Sequence, residues 1–190
     1  MTLRESDLYA PVKALLEGQG YEVKAEVEDC DVVACKAGAP TVIVELKLAF
    51  TLDLVLQGVS RQSLSNDVYM AVPDPDTPTK RRNWRSRQHG YVKLCKMLGL
   101  GLMLVEPGRK PGQQVKVLLD PAAYQPRKNK RQLTSLLTEF TARTGDPNTG
   151  GVTRTRIVTA YRQDALRLAA ALNDQAEMKV ADLRNQTGVP

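Results

Sequence analysis

The stretch TVIVELKLAF, residues 41–50, places an acid and a base inside an apolar run that is typical of a buried strand. Because side chains alternate across a strand, Glu45 and Lys47 lie on the same face, about 6.5 to 7 Å apart along the strand. An ion pair in an apolar layer is often no more stable than two apolar side chains of similar size. Stability is therefore a poor reason for these two residues, and a catalytic role is a better one.

The segments around this strand predict a mixed α/β sheet domain. Leu8, Val12 and Leu16 recur at helical spacing and Gly18 follows them, which predicts an amphipathic helix over 3–17. The alternating run YEVKAEVE and the run DVVAC precede the central strand and form a three-stranded meander with it. The later elements are a helix at 53–66, a strand at 68–72, a helix capped by Thr77 with a break or bend expected at Gly90, and a closing hairpin that ends near residue 124.

The sequence pattern changes in the C-terminal third of the chain, which has helical periodicity, polar linkers and no strand signal. We therefore predict two domains, residues 1–124 and residues 125–190. The segment KVADLRNQTGVP resembles the first helix and turn of a helix-turn-helix or winged-helix unit. Its recognition helix would have to follow Pro190, so the region is either a truncated unit of this kind or a different module.

Composition excludes several classes of protein. The charged residues are 25% and the hydrophobic residues 42%, which is ordinary for a folded protein. No apolar stretch approaches the roughly 20 residues that a transmembrane helix needs, and the start lacks a secretory signal. Three cysteines and one histidine do not provide the usual zinc ligands. We expect a cytoplasmic protein with reduced thiols and no membrane partner.

Positive charge is concentrated in the segment KRRNWRSRQHG, which contains no acid. The whole chain has 27 Lys and Arg against 21 Asp and Glu, a net charge of +6. Such clusters favour a polyanionic partner, and Trp84 either stacks on a base or is anchored in the core. The candidate phosphate-binding residues in this segment are Lys80, Arg81, Arg82, Arg85 and Arg87.

A metal site is predicted where two acids meet. Asp31 begins the strand that pairs with residues 41–48 through a short turn, so it lies near the level of Glu45 or Lys47. Two carboxylates in this arrangement suit Mg²⁺, which takes oxygen ligands and commonly keeps waters and substrate phosphates. A lysine beside them can orient the attacking water or offset charge on phosphorus. Asp29 is the competing acid, and its alternative role is that of a solvated turn residue.

These residues resemble a known signature. Asp31 followed by Glu45-Leu46-Lys47 is similar to the D…(D/E)xK motif of the PD-(D/E)XK nuclease superfamily, whose core runs αβββαβ. The phrases SDLYAPVKALLEGQGYEV and VIVELKL also resemble a bacterial family of PD-(D/E)XK-type phosphodiesterases. The resemblance implies a restriction-endonuclease-like fold. It also implies that Asp31, Glu45, the Leu46 carbonyl and Glu5 hold Mg²⁺ or Mn²⁺, and that Lys47 assists the nucleophilic water.

Four further positions near the motif bear on this interpretation. Cys30 stands where the superfamily usually has proline, a change that the superfamily tolerates. Glu5 is either an inward-pointing ligand or the last residue of a capping box that begins at Thr2. Gln57 and Arg61 share one face of the next helix, where many superfamily members place a glutamine beside the site. They either serve the site, with Arg61 binding phosphate, or form a solvated face.

The expected function is that of a Mg²⁺-dependent phosphodiesterase, a nuclease and therefore a hydrolase, that acts on nucleic acid. DNA is the first choice of substrate over RNA, and cleavage of both strands of a duplex would favour a homodimer. The alternative is a non-catalytic nucleic-acid-binding or regulatory protein that retains the nuclease fold. A small-molecule phosphodiesterase ranks last, because the chain has no phosphate-cradling glycine loop.

Overall fold

The computed structural model describes residues 3–125, 127–175 and 177–189. The chain divides into two compact units, Met1–Pro126 and Arg127–Pro190. None of the helices within the described residues is long and apolar enough to cross a membrane. The assignment of residues 1–124 and 125–190 to separate domains stays a prediction.

The first unit is built on a six-stranded mixed sheet whose strands lie side by side in sequence order. The first three strands form an antiparallel meander, the third to fifth are parallel, and the sixth returns antiparallel. The elements are α1 Ser6–Gly18, β1 Glu22–Val27, β2 Cys30–Cys35, β3 Val42–Leu46, α2 Leu52–Arg61, β4 Asp67–Pro73, α3 Pro78–Leu98, β5 Gly101–Val105 and β6 Val115–Leu119. This order and the mixed sheet confirm the predicted α/β architecture.

Apolar layers cover both faces of the sheet. Alternation along β3 sends Val42, Val44 and Leu46 into the layer beneath α1, which supplies Leu8, Val12 and Leu16. Ile43 lies in the opposite layer, which α2 and α3 cover with apolar residues that include Leu54 and Cys95. Glu45 has the same parity as Ile43, so its side chain is directed toward the layer that contains α2.

The third helix differs from the prediction at its centre. Thr77 caps it by accepting a hydrogen bond from the Lys80 amide at 3.2 Å, as expected. The break that was one of the two expectations at Gly90 is absent, because α3 continues from Pro78 to Leu98. Trp84 before the glycine and Tyr91 and Cys95 after it all pack into the same apolar layer. This packing offsets the weak helix propensity of glycine.

The second unit consists of helices within its described residues, as predicted. They are α4 Lys130–Ala142, α5 Ala160–Asp174 and α6 Val180–Thr187. Side chains cap the first two, because Asn129 accepts from the Gln132 amide at 3.0 Å and Thr159 accepts from the Arg162 amide at 3.3 Å. α5 and α6 pack against each other. The likeness to a helix-turn-helix unit stays a prediction.

Candidate metal and phosphate site

The two acids of the predicted metal site lie on adjacent strands. β2 and β3 pair in a register that places Val32 opposite Val44 and Val33 opposite Ile43. One step further along the same register, Asp31 lies opposite Glu45. The Oδ2 atom of Asp31 accepts a hydrogen bond from the Leu46 amide at 2.7 Å, which fixes this carboxylate at the end of β3. The sequence left Asp31 level with Glu45 or Lys47, and the structure selects Glu45.

Glu45 is buried, with 1% of its surface exposed, and it is the sole buried polar or charged residue in the described part of the chain. The Nε atom of Arg61 lies 2.6 Å from its Oε1 atom. Burial is the largest influence on the pKa of the Glu45 carboxyl group and raises it. The hydrogen bond from Arg61 lowers that pKa, and the negative charge of Asp31 raises it again. A cation next to Glu45 therefore stabilises the ionised form of its carboxyl group.

Lys47 lies one residue beyond the end of β3, where its amide donates to the Ala71 carbonyl at 3.1 Å. Its Nζ atom is 3.6 Å from the Oε2 atom of Glu5, and the two side chains are 32% and 45% exposed. The Oε1 atom of Glu5 accepts from the Leu48 amide at 3.4 Å. Glu5, the residue before α1, is thus directed toward the end of β3, and Lys47 remains partly open to solvent.

The capping alternative for Glu5 is not what the structure shows. Glu5 occupies the position before α1 without a side-chain capping bond. The Oδ2 atom of Asp7 instead accepts from the Arg4 amide at 2.7 Å. Thr2, the other member of the proposed capping box, lies outside the described residues.

The donor set fits one divalent cation held by two carboxylates. In the ranges that the structure describes, no three His, Cys, Asp or Glu side chains gather closely enough to hold a metal. Asp31 and Glu45, together with the main-chain carbonyl of Leu46, match the limited number of protein oxygens that Mg²⁺ commonly uses. The Glu5 carboxylate pairs with Lys47 and does not join them. Its role as a metal ligand stays a prediction.

The net charge of the cluster also favours a divalent cation. Asp31, Glu45 and Glu5 contribute three negative charges, and Arg61 and Lys47 contribute two positive ones. The cluster therefore has a net charge of −1, so a bound dication would leave a single positive charge. A phosphodiester carries one negative charge, so it complements the site that results.

Arg61 and Gln57 lie beside the candidate site on α2. The Nη2 atom of Arg61 donates to the Asp29 carbonyl, and its side chain is 18% exposed. Arg61 is therefore partly buried and paired, so the solvated-face alternative does not hold for it. The Oε1 atom of Gln57 is buried without a hydrogen-bond partner among the described residues. Asp29 lies in the exposed β1–β2 turn with a φ of 61°, and its hydrogen bond with Arg61 is made by its main-chain carbonyl.

The basic segment begins α3, which starts beyond the end of β4. Because β3 and β4 are parallel, their carboxyl ends meet at the same edge of the sheet. Phe50, three residues after Lys47, stacks on Tyr91 of α3 with ring centroids 4.1 Å apart. This contact connects α3 to the loop that follows the candidate site. The basic side chains are all exposed, namely Lys80, Arg81, Arg82, Arg85 and Arg87.

Two members of the basic segment have local partners. Lys80 lies 2.9 Å from Asp76, and its hydrogen bond lowers the pKa of that carboxyl group. The Nε atom of Arg81 donates to the Pro75 carbonyl at 3.0 Å. Trp84 packs on Tyr91 at a centroid distance of 5.4 Å, and its Nε1 atom is buried without an acceptor in the described structure. Of the two alternatives for Trp84, the structure supports the core anchor.

The candidate site does not line the cavity of about 290 Å³ that the first unit contains. That cavity lies at the opposite ends of β3 and β4, next to Val42, Asp67 and Tyr69. The candidate site opens to solvent through the partly exposed side chains of Lys47 and Glu5. An open site of this kind is accessible to an extended polymer.

Sequence reasoning missed the ion pair between Glu45 and Arg61. It placed Arg61 near the site as a phosphate ligand, but it did not assign it to the motif glutamate. The two residues are 16 positions apart and meet through the packing of α2 on the sheet. One available signal was that a buried glutamate on a strand needs a counterion.

Comparison with known proteins gives one match. Residues 103–190, slightly less than half of the chain, match the model of a family described as "Putative PD-(D/E)XK phosphodiesterase (DUF2161)". This segment begins within β5 and does not contain Asp31 or Glu45. Neither the curated proteins nor the solved structures gave a match. The predicted resemblance to the family of PD-(D/E)XK phosphodiesterases is thus confirmed over residues 103–190.

Proposed function

We propose that this protein is a phosphodiesterase that uses Mg²⁺ or Mn²⁺ to hydrolyse nucleic acid. The observation that carries the proposal is the pairing of Asp31 with a buried Glu45 at the end of β3, with Lys47 at the solvent side of the same strand end. The family match supports hydrolysis of a phosphodiester. The cytoplasm is the proposed location.

Each side chain of the site has a separate role in the proposed reaction. Asp31 and Glu45, with the Leu46 carbonyl, would hold the cation and orient it toward solvent. A dication held there would supply positive charge for the phosphate oxygens and would lower the pKa of a bound water. Lys47 can contact both the attacking water and a phosphate oxygen, because its ammonium group is not sealed in the core. Glu5 fixes the Lys47 side chain through their ion pair.

Nucleic acid is the proposed substrate because the exposed cations of α3 begin at the same edge of the sheet. Lysine and arginine side chains bind a phosphate backbone without regard to sequence, and this binding weakens as salt displaces them. DNA is the proposed first choice. Cleavage of both strands of a duplex requires two sites, which a homodimer would supply. The helices of the second unit are assigned no base contacts.

One observation favours the alternative of a non-catalytic nucleic-acid-binding protein. The Glu45 carboxylate already has a cationic partner in Arg61, at 2.6 Å. A permanent pair of this kind would satisfy the buried charge without any metal. In that case the basic surface would still bind nucleic acid, but no hydrolysis would follow.

The test is an incubation of the protein with end-labelled single-stranded DNA, duplex DNA and RNA, in Mg²⁺, in Mn²⁺ and in chelator. We expect cleavage only when the metal is present, and we expect Asp31→Asn to abolish it. Asn keeps an oxygen that can accept from the Leu46 amide, so the variant should fold. Cleavage that persists in chelator or in the variant would assign the activity to a contaminant. Salt-sensitive binding without cleavage would support the non-catalytic alternative.

A further inference from the structure

Arg61 contacts one of the two carboxylate oxygens that Glu45 could offer to a metal. Its Nε atom donates to Oε1 of Glu45 at 2.6 Å, while Nη2 donates to the Asp29 carbonyl. A Mg²⁺–oxygen bond is about 2.0 to 2.1 Å long. A dication bound to this carboxylate would lie within a few ångströms of the guanidinium, and the two positive charges would repel each other.

We infer that Arg61 is a positioning residue that holds the Glu45 carboxylate and competes with the divalent cation for it. This inference rests on the proposed function. Arg61 is suited to holding the carboxylate because it lies at the end of α2 and is anchored by a backbone carbonyl, so its fork meets Glu45 in a fixed geometry. The cation must therefore displace Arg61 from Glu45 in order to bind. The strength of the ion pair sets the metal concentration at which the site is occupied.

Gln57 supplies an acceptor for the displaced guanidinium. It lies four residues before Arg61, on the same face of α2. Its Oε1 atom is buried and has no hydrogen-bond partner among the described residues. An unpaired buried acceptor is destabilising, so a hydrogen bond from Arg61 to Gln57 would offset part of the loss of the pair with Glu45. Gln57 thereby favours the metal-bound arrangement.

The two residues should have opposite effects on metal affinity. Removal of the Arg61 charge eliminates the competitor, so the Kd for Mn²⁺ should fall roughly tenfold or more. Removal of the Gln57 acceptor leaves the displaced arginine without a partner, so the Kd should rise several-fold. A purely structural role of Arg61 predicts the reverse for its variant, because a disordered Glu45 would bind metal less tightly.

The experiment is a calorimetric titration of Mn²⁺ into the full chain and three variants, Arg61→Gln, Gln57→Met and Lys116→Gln. Lys116 lies exposed on β6 at one edge of the sheet, so its variant controls for the loss of one positive charge. We expect tighter binding for Arg61→Gln, weaker binding for Gln57→Met, and a Kd within about twofold of the wild type for Lys116→Gln. Thermal melting is recorded in parallel. Arg61→Gln should melt below the wild type in chelator and regain the difference in Mn²⁺.

The outcomes separate the inference from the proposed function. If the wild type binds Mn²⁺ and Arg61→Gln binds it equally or less tightly, the competition is overturned and the metal site stands. If neither binds Mn²⁺ at millimolar concentration, the proposed function fails with the inference. Should Arg61→Gln not fold, Gln57→Met decides alone, and an unchanged Kd there overturns the inference.

Discussion

Replacement of Lys47 by alanine is expected to slow metal-dependent cleavage on the order of 10²- to 10³-fold, without loss of the fold. The ammonium group is the cation at the solvent side of the site, and it is placed to act on the water or on a phosphate oxygen. The pair with Glu5 is 3.6 Å long and partly exposed, so its loss costs little stability. The measurement is the single-turnover rate at saturating Mg²⁺, together with a titration of Mn²⁺.

A matched control is Lys24→Ala on β1. Lys24 also pairs with a glutamate, Glu22, at 3.0 Å, but both side chains are more than 70% exposed. We expect the control to cleave at the wild-type rate. Wild-type turnover by Lys47→Ala itself would remove this lysine from the mechanism.

Replacement of Glu45 by alanine is expected to lower the free energy of unfolding by about 3 to 5 kcal/mol. The change leaves the Arg61 guanidinium partly buried without its carboxylate, and it opens a cavity next to β2. Most of the effect should come from the unpaired charge. The measurement is urea unfolding of the full chain in chelator, which separates this effect from stabilisation by bound metal.

Glu106→Ala is the control for the loss of a carboxylate–arginine ion pair that is not buried. Glu106 and Arg109 also form a contact between a carboxylate and an Nε atom, at 2.5 Å, but their side chains are 43% and 55% exposed. An exposed pair of this kind contributes about 0.2 to 1 kcal/mol. A loss for Glu45→Ala no larger than that of the control would show that the buried pair is not important for stability. Replacement of both Glu45 and Arg61 by methionine should recover much of the loss.

Local patterns were sufficient to predict the strand that carries the site. The apolar run of residues 41–48 predicted a buried strand that contains Glu45, although β3 ends at Leu46 and Lys47 lies one residue beyond it. Asp31 was also predictable, because a short turn limits the register between neighbouring strands. The order of helices and strands followed from similar local signals.

Contacts between distant segments were not predictable in the same way. Arg61 reaches Glu45 because of how α2 is rotated on the sheet, which the spacing of its residues does not determine. Glu5 contacts the end of β3 across more than 40 residues of chain. Gly90 weakened the prediction for α3, although packing on both sides of the glycine keeps the helix continuous. These differences arise where tertiary packing outweighs local preference.

The most direct measurement is a crystal structure of the full chain soaked in millimolar Mn²⁺, with anomalous data collected at the manganese edge. We predict one anomalous peak between Asp31 and Glu45, within about 2.1 to 2.3 Å of an oxygen of each carboxylate. The guanidinium of Arg61 should then have moved from Glu45 toward Gln57. The absence of a peak within bonding distance of either carboxylate, with the Arg61–Glu45 pair intact, would contradict a metal centre at this end of β3.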